Sequence, residues 1–151
     1  MATHISPWIA VLGLLITIAL IWVSRRHDAR AILQNRYPAS RTPDGPLTEC
    51  EVRFPLDELP TPCMAHASTS GLYMVSSPAQ VARRRWRRNT PLLQQAVLIP
   101  WPNLDYYPAR FPLQGWLRLD IRGAKATFFI RETVAAGLLQ AAGQPIPTSK
   151  F

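Results

Sequence analysis

The sequence predicts one N-terminal transmembrane α-helix followed by a mainly-β domain that a C-terminal α-helix closes. Three observations carry this prediction. An apolar run extends from Ile5 to Val23 without a charged side chain. Apolar and polar residues alternate over short segments farther along the chain, which is the period of half-buried strands. Fifteen prolines, most of them beyond the apolar run, favour many short elements over long helices.

Residues 5–24 are the predicted membrane span. About 19 residues at 1.5 Å of rise reach roughly 28 Å as a helix, close to a hydrocarbon core of about 30 Å. Trp8 and Trp22 bracket the run, as amphipathic rings do at the two membrane interfaces. A cleavable signal peptide would need basic residues before the run, and a core helix of a globular domain would need a polar face. The run has neither.

The charges around the run predict its orientation. No Lys or Arg precedes it, and a group of arginines follows it closely. The positive-inside rule then places the N-terminus outside and the C-terminal domain in the cytoplasm of a bacterial cell, with the chain as a single-pass protein of the inner membrane. The arginines of this group are Arg25, Arg26, Arg30, Arg36 and Arg41.

Gly13 and Thr17 have the spacing of small residues that lets a second helix approach closely. They are a candidate helix contact, although such spacings also arise by chance. Residues 25–46 are predicted as a juxtamembrane helix and a proline-rich linker, because nothing breaks a helix before Pro38. The β domain is assigned to residues 47–143 and a flexible tail to residues 144–151.

The β domain shows its strands by alternation. Cys50, Val52 and Phe54 alternate with charged residues, and a hairpin is predicted around Gly71. A second hairpin begins with the alternating segment 116–122, turns at Gly123-Ala124, and returns through residues 126–130. A helix over residues 132–143 follows, with a glycine that can cap its end.

Three short segments resemble small bacterial proteins whose cytoplasmic domain is similar to pleckstrin-homology and GRAM domains. They are Ser70-Gly71-Leu72-Tyr73-Met74, Leu98-Ile99-Pro100-Trp101-Pro102-Asn103-Leu104 and Leu117-Arg118-Leu119-Asp120-Ile121. The resemblance covers residues 63–142 and implies a strongly bent sheet of about six or seven strands, capped by the C-terminal helix. It implies no reaction, and no lipid-binding residue is carried over from it. The arginine-rich segment 78–89 departs from the pattern.

The chain carries a net charge of +8, and the excess lies after Pro60. Its densest part is a cluster of five arginines around one tryptophan, which can bind anionic phospholipid, bind an acidic protein partner, or remain a solvated loop. Nucleic acid is disfavoured, because a single aromatic residue interleaves the charges. The cluster is Arg83, Arg84, Arg85, Trp86, Arg87 and Arg88.

No catalytic motif is present, so the chain is predicted not to be an enzyme and to need no cofactor. Cys63 and His66 have a ligand-like spacing, but even with Cys50 a structural zinc site would lack its fourth ligand. The two cysteines are too few for a disulfide scaffold, and a cytoplasmic location would keep them reduced. We therefore interpret them as small buried apolar residues.

A proline-flanked aromatic segment lies between the best predicted strands. Core packing accounts for most of its rings, and Tyr106, Tyr107, Arg110 and Phe111 form a candidate partner-contact loop. Two functions follow from the sequence. The chain is either a non-catalytic, membrane-anchored adaptor whose basic domain docks on anionic lipid or an acidic partner, or an accessory subunit of a larger inner-membrane complex.

Overall fold

The computed structural model describes residues 7–26, 29–55, 57, 59–86, 93 and 95–147. For residues 21–26 and 83–86 it describes the backbone only. Four α-helices and seven β-strands lie in these ranges. The helices are α1 Pro7–Arg26, α2 Ala29–Arg36, α3 Pro78–Trp86 and α4 Glu132–Ala141. The strands are β1 Thr48–Arg53, β2 Thr61–Ser68, β3 Gly71–Ser76, β4 Val97–Pro100, β5 Leu104–Pro108, β6 Trp116–Ile121 and β7 Thr127–Arg131.

All seven strands belong to one antiparallel sheet in the order β4-β3-β2-β1-β7-β6-β5. The sheet consists of two meanders, β1 to β4 and β5 to β7, which β1 and β7 join at the centre. Because right-handed strand twist accumulates across so many strands, the sheet curls into a half-barrel. The core lies on its concave face.

Strand β2 shows how the sequence produces this arrangement. Its residues alternate strictly between buried and half-buried, with Cys63, Ala65 and Ala67 among the buried set. Small side chains at these positions leave room on the inner face for the C-terminal helix. Helix α4 packs against β2, β7 and β6, and it buries Ala135, Leu138 and Leu139.

The antiparallel pairing of β3 with β4 depends on a close approach of two backbones. An added Cβ on Gly71 would clash with the backbone carbonyl of Ile99 on β4, so only glycine fits the start of β3. Beyond β4 the chain makes a 3-10 turn over Trp101–Asn103. The indole Nε1–H of Trp101 donates to the carbonyl of Ser68 at 2.7 Å, which ties this turn to the β2–β3 hairpin.

Helix α2 and the segment after it contribute to the β domain. Leu33 is fully buried and Ala29 nearly so, and both belong to the main hydrophobic cluster. The chain then runs along the outer edge of β4, where Leu98 N–H donates to the carbonyl of Tyr37 at 3.0 Å and Ala39 N–H to that of Ala96 at 2.9 Å. This edge of the sheet is thereby covered.

Helix α3 occupies part of the basic segment for which no helix was predicted. Ser77 Oγ accepts a hydrogen bond from the N–H of Gln80 at 3.2 Å, and Pro78 is the first helical residue. Both are typical N-terminal signals of a helix. Ser77 is itself buried, so the start of α3 is held against the sheet.

The predicted membrane span requires correction. Among the residues that the structure describes, no helix is long and apolar enough to cross a membrane. This finding contradicts the predicted fold class, which included a transmembrane helix over residues 5–24. It also contradicts the predicted single-pass topology and the predicted inner-membrane localisation.

Candidate functional site

Helix α1 presents an apolar surface on every side. Its large apolar side chains between Trp8 and Leu20 are 48 % to 79 % exposed. Gly13 lies on this surface with open space around it, since an added Cβ would meet no atom within 4 Å. Thr17 Oγ1 donates to the carbonyl of Gly13 at 2.8 Å, so the hydroxyl is satisfied within the helix. The two residues predicted as a helix contact therefore lie together, exposed, beside a small notch.

The arginine cluster falls largely outside the described residues. The backbone of Arg83, Arg84, Arg85 and Trp86 forms the second half of α3, and nothing is described of their side chains. Arg87 and Arg88 lie outside the described residues. The prediction that this cluster contacts lipid or an acidic partner therefore stays a prediction.

The four residues of the candidate partner loop differ in their exposure to solvent. Tyr106 is half-buried, and its ring packs edge-on against Trp101 with centroids 6.3 Å apart. Arg110 and Phe111 lie in the turn between β5 and β6, where Phe111 is 82 % exposed. Tyr107 is exposed on the outer face of β5. Three members of the predicted loop are thus accessible to a partner, and Tyr106 mainly supports the fold.

A polar network covers the outer face of β5, β6 and β7. Asp120 accepts hydrogen bonds from the hydroxyl of Tyr107, from Nε of Arg118 at 2.9 Å and from Oγ1 of Thr127 at 2.6 Å. Partial burial favours a higher pKa of Asp120, but these three donors outweigh it and hold that pKa below its ordinary value of 3.8. The hydrogen bond to Asp120 raises the pKa of Tyr107.

Asp105 lies directly opposite Asp120 in the β5–β6 register. Two carboxylates in this position would repel each other, and each has its own arginine. Arg122 binds Asp105 through Nε, at 2.9 and 3.0 Å from the two carboxylate oxygens, and through Nη2 at 2.6 Å. Hydrogen bonds from Arg122 lower the pKa of Asp105. The network is self-neutralising, and its carboxylates are committed to structural contacts.

The ligand-like spacing of Cys63 and His66 does not bring their two side chains together. Cys63 and His66 are three residues apart on β2, so their side chains lie on opposite faces of the sheet. His66 Nδ1 is 2.9 Å from the carbonyl of Pro46, on the outer side. Within the described part of the chain, no group of three or more His, Cys, Asp or Glu side chains could hold a metal ion.

Sequence reasoning missed a buried ion pair beneath α2. Arg30 binds the carboxylate of Asp57, and the side chains are 10 % and 8 % exposed. Thr61 donates to the same carboxylate at 3.3 Å, and the Arg30 guanidinium lies 4.2 Å from the ring centroid of Phe54. The sequence signal was an arginine beside apolar helix residues, which also fits a juxtamembrane arginine. Only the packing of α2 on the sheet distinguishes the two.

The burial of Cys50 and Cys63 is confirmed, but the sequence did not reveal that the two residues lie opposite each other. They are register partners on β1 and β2, and both are buried and unbridged. Burial raises the pKa of each thiol to about 12.

Comparison of the chain with protein-family models, curated proteins and solved structures finds no match. The candidate sites therefore depend on the geometry of this chain alone.

Proposed function

We propose that this chain is a non-catalytic assembly subunit of a larger protein complex. The observation that carries the proposal is the apolar surface of α1, whose described side chains are exposed on all sides. Contiguous apolar surface on this scale is typical of an interaction site, because leaving it in water is unfavourable by about 25 cal/mol per Å². A set of partner helices around α1 would bury it.

The β domain supports the proposal with a second contact surface. Tyr107, Arg110 and Phe111 project from one end of the sheet, and aromatic and arginine residues are enriched at protein interfaces. The polar network around Asp120 keeps the β5–β6 hairpin rigid, so this surface is presented without a large loss of conformational entropy on binding.

Purification of the full chain in mild detergent tests the proposal. We expect stoichiometric co-purification with other subunits, and isolation of the chain as a lone species would refute it. Gly13→Leu places a large side chain in the open space on α1, and we expect it to reduce the recovered complex by at least about tenfold, because two helices can no longer approach closely. Ala19→Leu, at an exposed position away from this notch, is the matched control.

Phe111→Ser tests the second surface without disturbing the core, since the ring is almost fully exposed. We expect it to weaken the complex by about 1 to 2 kcal/mol, which is the effect of truncating a contributing interface residue just below the hot-spot range. Leu59→Ser removes an equally exposed apolar side chain elsewhere and should leave the complex unchanged. Equal effects of the two substitutions would show that the β5–β6 turn is not a contact.

A second candidate function is docking on an anionic surface through residues 83–88. The charge distribution favours this function, because the sequence from Pro60 onward contains eleven Lys or Arg residues and only three acidic residues. Binding to vesicles rich in anionic phospholipid, compared with zwitterionic vesicles, would test it. We expect binding to fall steeply with salt and on replacement of the five clustered arginines by glutamine. Salt-independent binding would contradict this function.

A further inference from the structure

The chain has two cysteines in 151 residues, and the sheet places them directly opposite each other. Cys50 on β1 is the register partner of Cys63 on β2. Both side chains point to the inner face and are 2 % and 0 % exposed. Strands β1 and β2 are the fourth and third of the seven strands, so the pair lies near the middle of the sheet.

The backbone geometry of this pair follows from its neighbours. Pro62 directs its carbonyl toward β3, where it accepts a hydrogen bond from the N–H of Ser77 at 3.3 Å. The next residue, Cys63, therefore directs its backbone groups toward β1 and Cys50, as in a hydrogen-bonded antiparallel pair. The Cα atoms of such pairs are about 5.5 Å apart, within the range of about 4.4 to 6.8 Å that disulfides span.

We propose that Cys50 and Cys63 are a site of reversible disulfide formation that joins β1 to β2 inside the sheet. The Cβ atoms of a hydrogen-bonded register pair lie toward the upper end of about 4.5 to 5.5 Å, and a disulfide holds them at about 3.8 Å. The two strands must therefore move slightly closer when the bond forms. This distortion makes the bond easier to reduce than an unstrained structural disulfide, so the modification is reversible.

The reaction needs an oxidant, for which a small-molecule disulfide such as oxidised glutathione suffices. The thiolate of one cysteine attacks the glutathione disulfide, forms a mixed disulfide and releases one glutathione thiolate. The thiolate of the second cysteine attacks the protein sulfur of the mixed disulfide and releases the second glutathione. The two protein thiols lose two protons and two electrons in total, and both electrons reduce the oxidant to two thiols.

The native fold controls when this reaction occurs. Both thiols are enclosed by the sheet and α4, and burial keeps them protonated at neutral pH, since only the thiolate attacks a disulfide. The exchange therefore proceeds while the chain folds or when β1 and β2 separate. In the intact native state we expect oxidation to be slower by several orders of magnitude than in the unfolded chain.

The experiment compares two treatments of the full chain kept in solution with mild detergent. One sample is refolded from denaturant with oxidised glutathione, and the other is exposed to the same reagent after folding. Intact mass, alkylation in denaturant and peptide mapping then identify the bond. We expect the refolded sample to contain a single intramolecular Cys50–Cys63 disulfide and to unfold roughly 5 to 10 °C higher than the reduced chain.

A variant with Cys63→Val and Ala65→Cys moves the second thiol two residues along the same face of β2. Its separation from Cys50 becomes that of a diagonal neighbour, about 7 to 8 Å, too far for a bond. This variant should yield glutathione adducts and no internal disulfide. The proposal is overturned if the natural chain also yields only adducts, intermolecular disulfides or unmodified thiols, or if its internal disulfide lowers the unfolding temperature.

Discussion

At the scale of single residues, charged side chains support the fold in two different environments. Arg30 and Asp57 are a buried pair beneath α2, whereas Glu51 and Arg131 are a surface pair whose side chains are about half exposed. Removing one partner of a buried pair leaves an uncompensated charge in the protein interior, while a surface pair contributes little. The same kind of interaction therefore has very different consequences at the two sites.

We predict that Asp57→Asn lowers the free energy of unfolding by about 3 to 5 kcal/mol, because it removes a carboxylate that the buried guanidinium of Arg30 binds. Glu51→Gln is the matched control, with an expected change below about 1 kcal/mol. Chemical denaturation of both variants measures the difference. Equal effects would show that the Arg30–Asp57 pair is not buried in solution.

A second prediction at this scale concerns acid. The pKa of Asp120 is lowered in the folded chain, so its carboxylate stabilises the fold above the unfolded pKa of about 3.9, and this contribution is lost as the pH falls through the lower folded pKa. Asp120→Asn should therefore be less stable than the natural chain near pH 6, by about 1 kcal/mol at this partly buried site. The difference should shrink below pH 4. A constant difference from pH 6 to pH 2.5 would contradict the assignment.

At the scale of elements, α2 is the helix whose role differs most from its appearance in the sequence. It was predicted as part of a juxtamembrane helix, and it contributes the fully buried Leu33 to the core. The segment after it covers the outer edge of β4 through backbone hydrogen bonds. A fragment that starts at residue 47 would lack both contributions, so a stable fragment of the β domain should include α2.

We predict that Leu33→Ala lowers the free energy of unfolding by about 2 to 5 kcal/mol, because it creates a cavity between α2 and the sheet. Asn35→Ala changes an exposed residue of the same helix and should stay within about 0.5 kcal/mol of the natural chain. Denaturant unfolding monitored by far-UV circular dichroism gives both values. If the two variants are equally stable, α2 does not pack on the sheet.

At the scale of the whole molecule, the two enclosed thiols make stability depend on alkaline pH. Burial raises the pKa of Cys50 and of Cys63 from 9.0 to about 12, with the neighbouring Glu49 and Cys50 adding smaller contributions. The stabilisation is complete below the unfolded pKa near 9 and is lost as the pH rises toward 12, because the unfolded chain releases its thiol protons first.

We therefore predict that the reduced chain loses stability between pH 9 and pH 11 more steeply than a variant with Cys50→Val and Cys63→Val. Equilibrium denaturation across this range, with reductant present, measures both slopes. The valine variant retains the titration of tyrosine and lysine residues and so isolates the thiol contribution. Parallel slopes would mean that the thiols are accessible to solvent in the folded chain.

Features that depend on local periodicity could be predicted from the sequence. The alternation at Cys50, Val52 and Phe54 lies in β1 and the residue that follows it, and the segments around Gly71 and Gly123 form antiparallel hairpins as predicted. The helix predicted over residues 132–143 is α4, which ends two residues earlier. Local patterns carry this information because side-chain alternation and turn chemistry act over a few neighbouring residues.

Contacts between residues far apart in the sequence could not be predicted, because they depend on how the elements pack. The β1–β2 register brings Cys50 against Cys63, and the docking of α2 brings Arg30 to Asp57. The apolar run that predicted a membrane span appears as the exposed helix α1, and no described helix is long and apolar enough to cross a membrane. These outcomes depend on strand register and helix packing, which no short stretch of sequence encodes by itself.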